Sequence, residues 1–243
     1  MTTLILLRHG RSTSNTSGVL AGRTPGVELD DKGREQAAAV VDRLAPLPLA
    51  EIVTSPMLRC RQTVTPLAEV RGLEPVVEED LAEVDYGDWT GGTLSELAKE
   101  DLWKVVQAHP SAAVFPGGEG LAGMQARAVA AVRHHERRIA AAHGPNAIWV
   151  ACSHGDVIKA VLADALATHL DNFQRIVVDT SSMSVVTYTR TRPFVARVND
   201  VGGDVASLVP PPPEEGEEGQ GDGVPEPAAE PSSDAVVGGS TGA

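Results

Sequence analysis

Two histidines each close an apolar run and are each followed by glycine. One lies in Leu6-Leu7-Arg8-His9-Gly10-Arg11-Ser12, the other far downstream in Ala151-Cys152-Ser153-His154-Gly155-Asp156. A strand that ends in His-Gly delivers an imidazole to a sheet edge and then lets the backbone turn tightly. A neutral, accessible imidazole can attack phosphorus, and phosphoryl transfer asks mainly for positioning and charge stabilisation. Arg8, beside His9, offers a planar fork for equatorial phosphate oxygens. Gly10 lets the backbone approach, and Asn15 on the following loop can donate an amide hydrogen bond to the same oxygens. His154 repeats the geometry. A helix opening near Gly155 aims its first N–H groups at the same strand end, where anions bind well.

A second arginine, Arg59, stands in Thr54-Ser55-Pro56-Met57-Leu58-Arg59-Cys60-Arg61-Gln62-Thr63, one turn into a helix that follows a strand. Arg59 and Arg61 are two residues apart and cannot share a helix face, so one points into a pocket and the other out. The leaving oxygen needs a proton donor. Glu83, in Ala82-Glu83-Val84-Asp85-Tyr86-Gly87-Asp88-Trp89, is a candidate, because a carboxyl desolvated among other acids stays protonated to higher pH. Asp85 and Asp88 compete for that role. Each of these residues, taken singly, has an ordinary structural explanation as well.

Together and in this order, the pieces resemble the histidine phosphatase superfamily, in its phosphoglycerate-mutase-like branch. The resemblance spans about residues 4–198. It rests on Arg8-His9-Gly10, Asn15, the run Ser55 to Thr63, the run Glu83 to Trp89, Pro116-Gly117-Gly118-Glu119 and Ser153-His154-Gly155. It implies that His9 is the phosphorylated nucleophile. Arg8, Arg59 and His154 would form the phosphate pocket with Asn15 assisting, and Gly10 and Gly155 would line it. Glu83 would act as general acid and then as base toward water. No metal or other cofactor is implied. The chain departs from the family pattern at Arg11, where many relatives carry Glu or Gln, and at Gly120, where Ser is common. Arg11 either adds positive charge at the pocket mouth or pairs with a nearby acid. Only 26 residues separate Trp89 from Pro116, a short cap that favours a water-accessible phosphatase over a mutase.

Composition bounds the partners. The chain has 243 residues, 42% hydrophobic and 3% aromatic, with a formal net charge of −13. A core of Ala, Val and Leu is expected, and aromatic base-stacking platforms are not. The negative charge argues against a general nucleic-acid or anionic-membrane binder. Eight of the 33 acidic residues fall in residues 209–243, which hold no Lys or Arg, leaving 25 acidic against 20 basic residues elsewhere. That segment opens with Pro210 to Pro213 and is rich in Glu, Gly, Pro, Ser and Ala, so it reads as a disordered acidic tail behind a catalytic domain over residues 1–208. Cys60 and Cys152 form no C-x-x-C and read as small apolar fillers in a reducing compartment. With no signal peptide or spanning apolar run, a cytoplasmic location is expected. The expected partner is a small phosphorylated substrate. Oligomeric state is left open.

The elements that must position these residues follow from periodicity. Leu4 to Leu7 is apolar without alternation, which suits a central strand covered on both faces. Ser12 to Pro25 reads as a loop, and Asp30 or Asp31 caps a helix through Leu44. Glu51 to Thr54 reads as a strand. Ser55 then caps a helix with Pro56 at its first position, ending by Gly72. Pro75 to Val77 is a short strand, Leu81 to Gly92 is irregular, and Thr93 to Gln107 is helical. Leu121 to His143 is a long amphipathic helix, whose adjacent His134 and His135 read as surface residues. Asn146 to Cys152 is a buried strand and Val157 to Leu166 a helix. Ile176 to Val178, Met183 to Thr189 and Phe194 to Val198 read as strands, the last two paired. Strands alternating with helices predict an α/β three-layer sandwich, its central sheet mostly parallel with an antiparallel edge strand.

Three other activities compete with the phosphatase reading. A phosphomutase would use the same site but return the phosphoryl group to its substrate. A non-catalytic phosphate sensor or scaffold would use the acidic tail for partners. A metallohydrolase would gather His9, His154 and Asp156 on a metal, but no H-x-H or H-E-x-x-H spacing supports it.

Overall fold

A computed structural model describes residues 1–203, so the expected acidic tail over residues 209–243 lies outside the described residues. In chain order the regular elements are β1 (Thr2–Arg8), α1 (Thr13–Ser17), α2 (Asp31–Leu44), β2 (Leu49–Thr54), α3 (Leu58–Arg71), β3 (Val76–Val77), α4 (Leu94–Leu97), α5 (Asp101–Ala108), α6 (Leu121–His143), β4 (Ile148–Ser153), α7 (Gly155–Ala165), β5 (Met183–Tyr188) and β6 (Pro193–Asp200). Short 3₁₀ segments punctuate the connections, among them Glu79–Leu81, Gly87–Trp89 and Leu170–Arg175.

The strands form one sheet in the order β3-β2-β4-β1-β5-β6. The pairs β2/β3, β2/β4 and β1/β4 are parallel, whereas β1/β5 and β5/β6 are antiparallel. The antiparallel edge is therefore two strands deep. The apolar run of β1 works as its lack of alternation requires. Leu4 and Leu6 enter one buried cluster with α6 and α7, while Ile5 and Leu7 enter another with α2 and α3. A strand sends successive side chains to opposite faces, so one covered on both sides needs apolar residues throughout. Helices on both faces complete the three layers.

Several expectations about elements need correction. The stretch Ser12 to Pro25 holds a short helix, α1, whose N-cap is Ser12. The helix expected to start at Ser55-Pro56 begins at Leu58, because the Ser55 hydroxyl is engaged by His154 and only weakly reaches back to the Met57 N–H. Ile176 to Val178 is not a strand. The antiparallel neighbour of β1 is β5, and the Val178 carbonyl instead accepts a hydrogen bond from Arg8. His135 is not a surface residue. It is buried, and its Nε2 stands 2.8 Å from Glu78. Among the described residues, no helix is long and apolar enough to cross a membrane.

Candidate active site

The three parallel strands β2, β4 and β1 end at one level, and their C-terminal ends hold the chemistry. Arg8 pairs across from Ser153 at the last rung of β1/β4, and the His9 N–H continues the ladder to the Ser153 carbonyl at 3.0 Å. The two chain exits are thus neighbours, which brings the rings of His9 and His154 edge to face with centroids 5.2 Å apart. Ser55 leaves β2 beside them, its N–H on the Cys152 carbonyl at 2.9 Å. Sites of open α/β sheets collect at such strand ends.

Arg59 joins the histidines. Its Nε donates to His9 Nε2 at 3.3 Å, and its Nη2 to the Gly22 carbonyl at 2.9 Å and to His154 Nδ1 at 3.1 Å. Arg59 Nη1 is buried and meets no hydrogen-bond partner among the described residues. Arg61, two residues on, is exposed, as the helix period requires. Arg8 is fully buried and donates from Nη1 to the Val178 carbonyl at 2.7 Å. Two guanidinium groups and two imidazoles therefore share one water-poor space.

Hydrogen bonding fixes how the histidines carry their protons. His9 Nδ1 lies 2.7 Å from the Gly10 carbonyl. A carbonyl only accepts, so Nδ1 bears the hydrogen and Nε2 keeps its lone pair. His154 Nδ1 faces the Arg59 donor, so its hydrogen sits on Nε2 and points to the Ser55 hydroxyl at 2.8 Å. Burial, followed by the charges of Arg59 and Arg8, holds the His9 pKa well below the ordinary imidazole range. Burial and Arg59 do the same for His154. Both rings are neutral near pH 7, the form in which nitrogen can attack.

Glu83 is the carboxyl the structure brings to this space. It is 3% exposed, and its Oε2 is 3.7 Å from His154 Nδ1 while Oε1 accepts the Val84 N–H. Burial first and Asp156 second raise its pKa to about 7, against the pull of Arg59 and Arg8. The two competitors are elsewhere occupied. Asp85 accepts the Gly87 N–H, and Asp88 is exposed.

The main chain around Glu83 is clamped. Arg127 from α6 donates to the carbonyls of Asp80, Ala82 and Glu83 and grips both oxygens of Glu119. Arg23 donates to the Glu83 carbonyl and to Glu119. The Pro116-Gly117-Gly118-Glu119 turn lies directly against this loop. A side-chain carbon on Gly118 would fall 2.2 Å from the Asp85 carbonyl oxygen, and one on Gly87 2.1 Å from that of Pro116.

Three sequence expectations take a different form. The Gly10 N–H is held by the Thr63 hydroxyl at 2.9 Å, and the close approach its lack of a side chain permits is to Gly33 of α2. Asn15 lies in α1, its Oδ1 accepting from the Ser12 N–H and hydroxyl, which leaves the amide hydrogens as its outward donors. Arg11 pairs with Asp30 at 2.7 Å rather than standing free at the mouth. Gly155 is buried and opens α7, near where the sequence placed that helix start. Sequence reasoning missed Arg23 and Arg127, which join main-chain carbonyls to Glu119 from distant elements, and Cys60, whose Sγ lies 3.5 Å from His154 Nε2. Ser55, whose place in the sequence predicts only a helix cap, meets His154 Nε2 instead.

The family model of the histidine phosphatase superfamily, branch 1, matches residues 4–201. The chain belongs to that superfamily. It is an enzyme of the phosphatase class. It is 29% identical over 202 residues to phosphoserine phosphatase 1 of Hydrogenobacter thermophilus, covering 82% of this chain and 92% of the relative. Against a glucosyl-3-phosphoglycerate phosphatase of Mycobacterium tuberculosis the identity is 30% over 174 residues, covering 70% and 78%. Among solved structures, YhfR of Bacillus stearothermophilus superposes with a TM-score of 0.74 at 28% identity, covering 83% of this chain and 98% of that one. The fold of this histidine phosphatase is accordingly that of its phosphatase neighbours.

Proposed function

We propose that this superfamily member is a metal-independent phosphomonoesterase that acts on a small phosphorylated metabolite through a phosphohistidine at His9. The observation that carries the reading is the His9 Nε2 lone pair, held free of a proton by the Nδ1–H bond to Gly10 and set beside the unpartnered Arg59 Nη1. Arg8, Arg59 and His154 bind the phosphoryl oxygens, Asn15 adds its amide hydrogens from α1, and the first N–H groups of α7 at Gly155 face the same anion. Nε2 forms a bond to phosphorus as the ester P–O bond breaks, and Glu83 gives its proton to the leaving alcohol oxygen. Water then attacks the phosphohistidine from the opposite side, Glu83 takes a proton from that water, and phosphate leaves with His9 restored. A carboxyl with a pKa of about 7 can serve in both directions.

The segment between Trp89 and Pro116 folds only into α4, α5 and one 3₁₀ turn, pinned by the stack of Trp103 on Trp89. So short a cap supports water rather than a second substrate as phosphoryl acceptor. The names of the relatives suggest phosphoserine or a phosphoglycerate derivative as the substrate class. The buried free thiols of Cys60 and Cys152 suit a cytoplasmic location. A panel of phosphoserine, phosphoglycerates and sugar phosphates, scored for free phosphate and for positional isomers, tests the proposal. Phosphate release is expected. Isomer formation without phosphate would make the protein a mutase, and no turnover of any ester would favour a sensor.

A further inference from the structure

Behind Glu83 stands a second charged group that takes no part in the phosphoryl transfer. Asp156 and Lys159 lie one turn apart on α7, 0% and 2% exposed, with Lys159 Nζ 3.6 Å from Asp156 Oδ1. Tyr86, three residues past Glu83 and fully buried, donates its hydroxyl hydrogen to Asp156 Oδ2 at 2.9 Å. Lys159 also donates to Gln174 Oε1 at 3.1 Å and sits over the Phe173 ring. Burying a carboxylate and an ammonium together seldom adds stability over an apolar pair of the same size. This pair sits where Tyr86 joins it to the loop that carries Glu83.

We propose that Asp156 is a positioning residue for Glu83: through Tyr86 it staples the Glu83 loop to the start of α7 and fixes there a buried charge balanced by Lys159. The inference rests on the reading of Glu83 as the acid. Other charged groups reach Glu83 from every side. Arg8 comes from the end of β1, Arg59 from α3 and His154 from the N-cap of α7. Arg23 and Arg127 hold its carbonyl. The arginines favour the carboxylate. Burial and Asp156 favour the protonated acid. Removing the Asp156 charge therefore leaves the arginines dominant, and removing Lys159 leaves Asp156 unbalanced, so the two substitutions act on Glu83 with opposite signs. A merely structural role for the pair gives no such opposition.

The test is a pH titration of side-chain carboxyl ¹³C resonances in the full chain, with the Glu83 signal assigned by its loss in Glu83→Gln. Asp156→Asn should lower the Glu83 midpoint by about one pH unit, and Lys159→Met should raise it by a clearly smaller amount. Should either single variant not fold, Asp156→Asn with Lys159→Met buries no unpaired charge. In that double variant the midpoint should lie below wild type. An unmoved midpoint in every folded variant, or single variants that shift it in the same sense, would overturn the proposal. The alkaline limb of phosphoserine turnover should follow the midpoint. If the midpoint moves and the limb does not, Glu83 is not the acid, while the hold of Asp156 on its proton stands.

Discussion

Glu83 and the two histidines occupy one buried space, yet burial pushes their proton affinities in opposite directions. Glu83 is raised to about 7, while His9 and His154 are held well below the usual imidazole value. A raised carboxyl adds stability below its unfolded pKa and loses it as pH climbs through the folded value. Glu83→Gln should therefore be more stable than wild type above pH 7, by about 3 kcal/mol at most, with little difference at pH 4. Denaturant unfolding at the two pH values checks this. The same variant should slow alkyl phosphates by about 10²-fold or more, and activated aryl phosphates far less. Depressed histidines work the other way: their stability is present above pH 6.5 and is lost as pH falls toward the folded values. Unfolding at pH 5 should show wild type losing stability that His9→Phe retains in part. At this scale the convergence of His9, Arg8, Arg59 and His154 was readable, and their side chains do share one buried space. Glu83 could not be separated from Asp85 and Asp88, because burial decides among them and burial is a tertiary property.

The elements deliver these side chains through a simple device, three parallel strands ending together. That device was legible, since the apolar run of Leu4 to Leu7 and the two His-Gly turns name the strands and their ends. The order of strands was not, because register and neighbours depend on long-range pairing. Helix starts failed where a polar side chain had a better partner than its own backbone, as Ser55 has in His154. Asp30, with no such competitor, caps α2 where expected and accepts the Gly33 N–H. The Glu83 loop depends on the glycine turn pressed against it. Gly118→Ala puts a carbon into the Asp85 carbonyl oxygen, so it should cost about 2 kcal/mol or more and depress turnover with it. Thermal unfolding and phosphate release, measured on the same preparation, check both effects. Gly123→Ala, in the first turn of α6 with no atom within 4 Å of the added carbon, is the matched control and should leave turnover unchanged without lowering Tm.

For the whole molecule, the pocket concentrates positive charge inside a chain of net charge −13. An anion bound there should stabilise the fold by mass action, by about 2.7 kcal/mol at a hundredfold excess over its Kd. Inorganic phosphate or vanadate should therefore raise the Tm of wild type, and Arg59→Ala should abolish the rise. Residues 209–243 are rich in Glu, Gly and Pro and poor in large apolar residues, so deleting them should leave Tm and turnover nearly unchanged. The most direct measurement of the central claim is an alkaline quench of the enzyme during turnover of a ³²P-labelled substrate, followed by peptide mapping. Label should be found on His9, on no other residue, and should be absent in an inactive His9→Ala variant. Label on a different side chain, or wild-type turnover by His9→Ala, would contradict it.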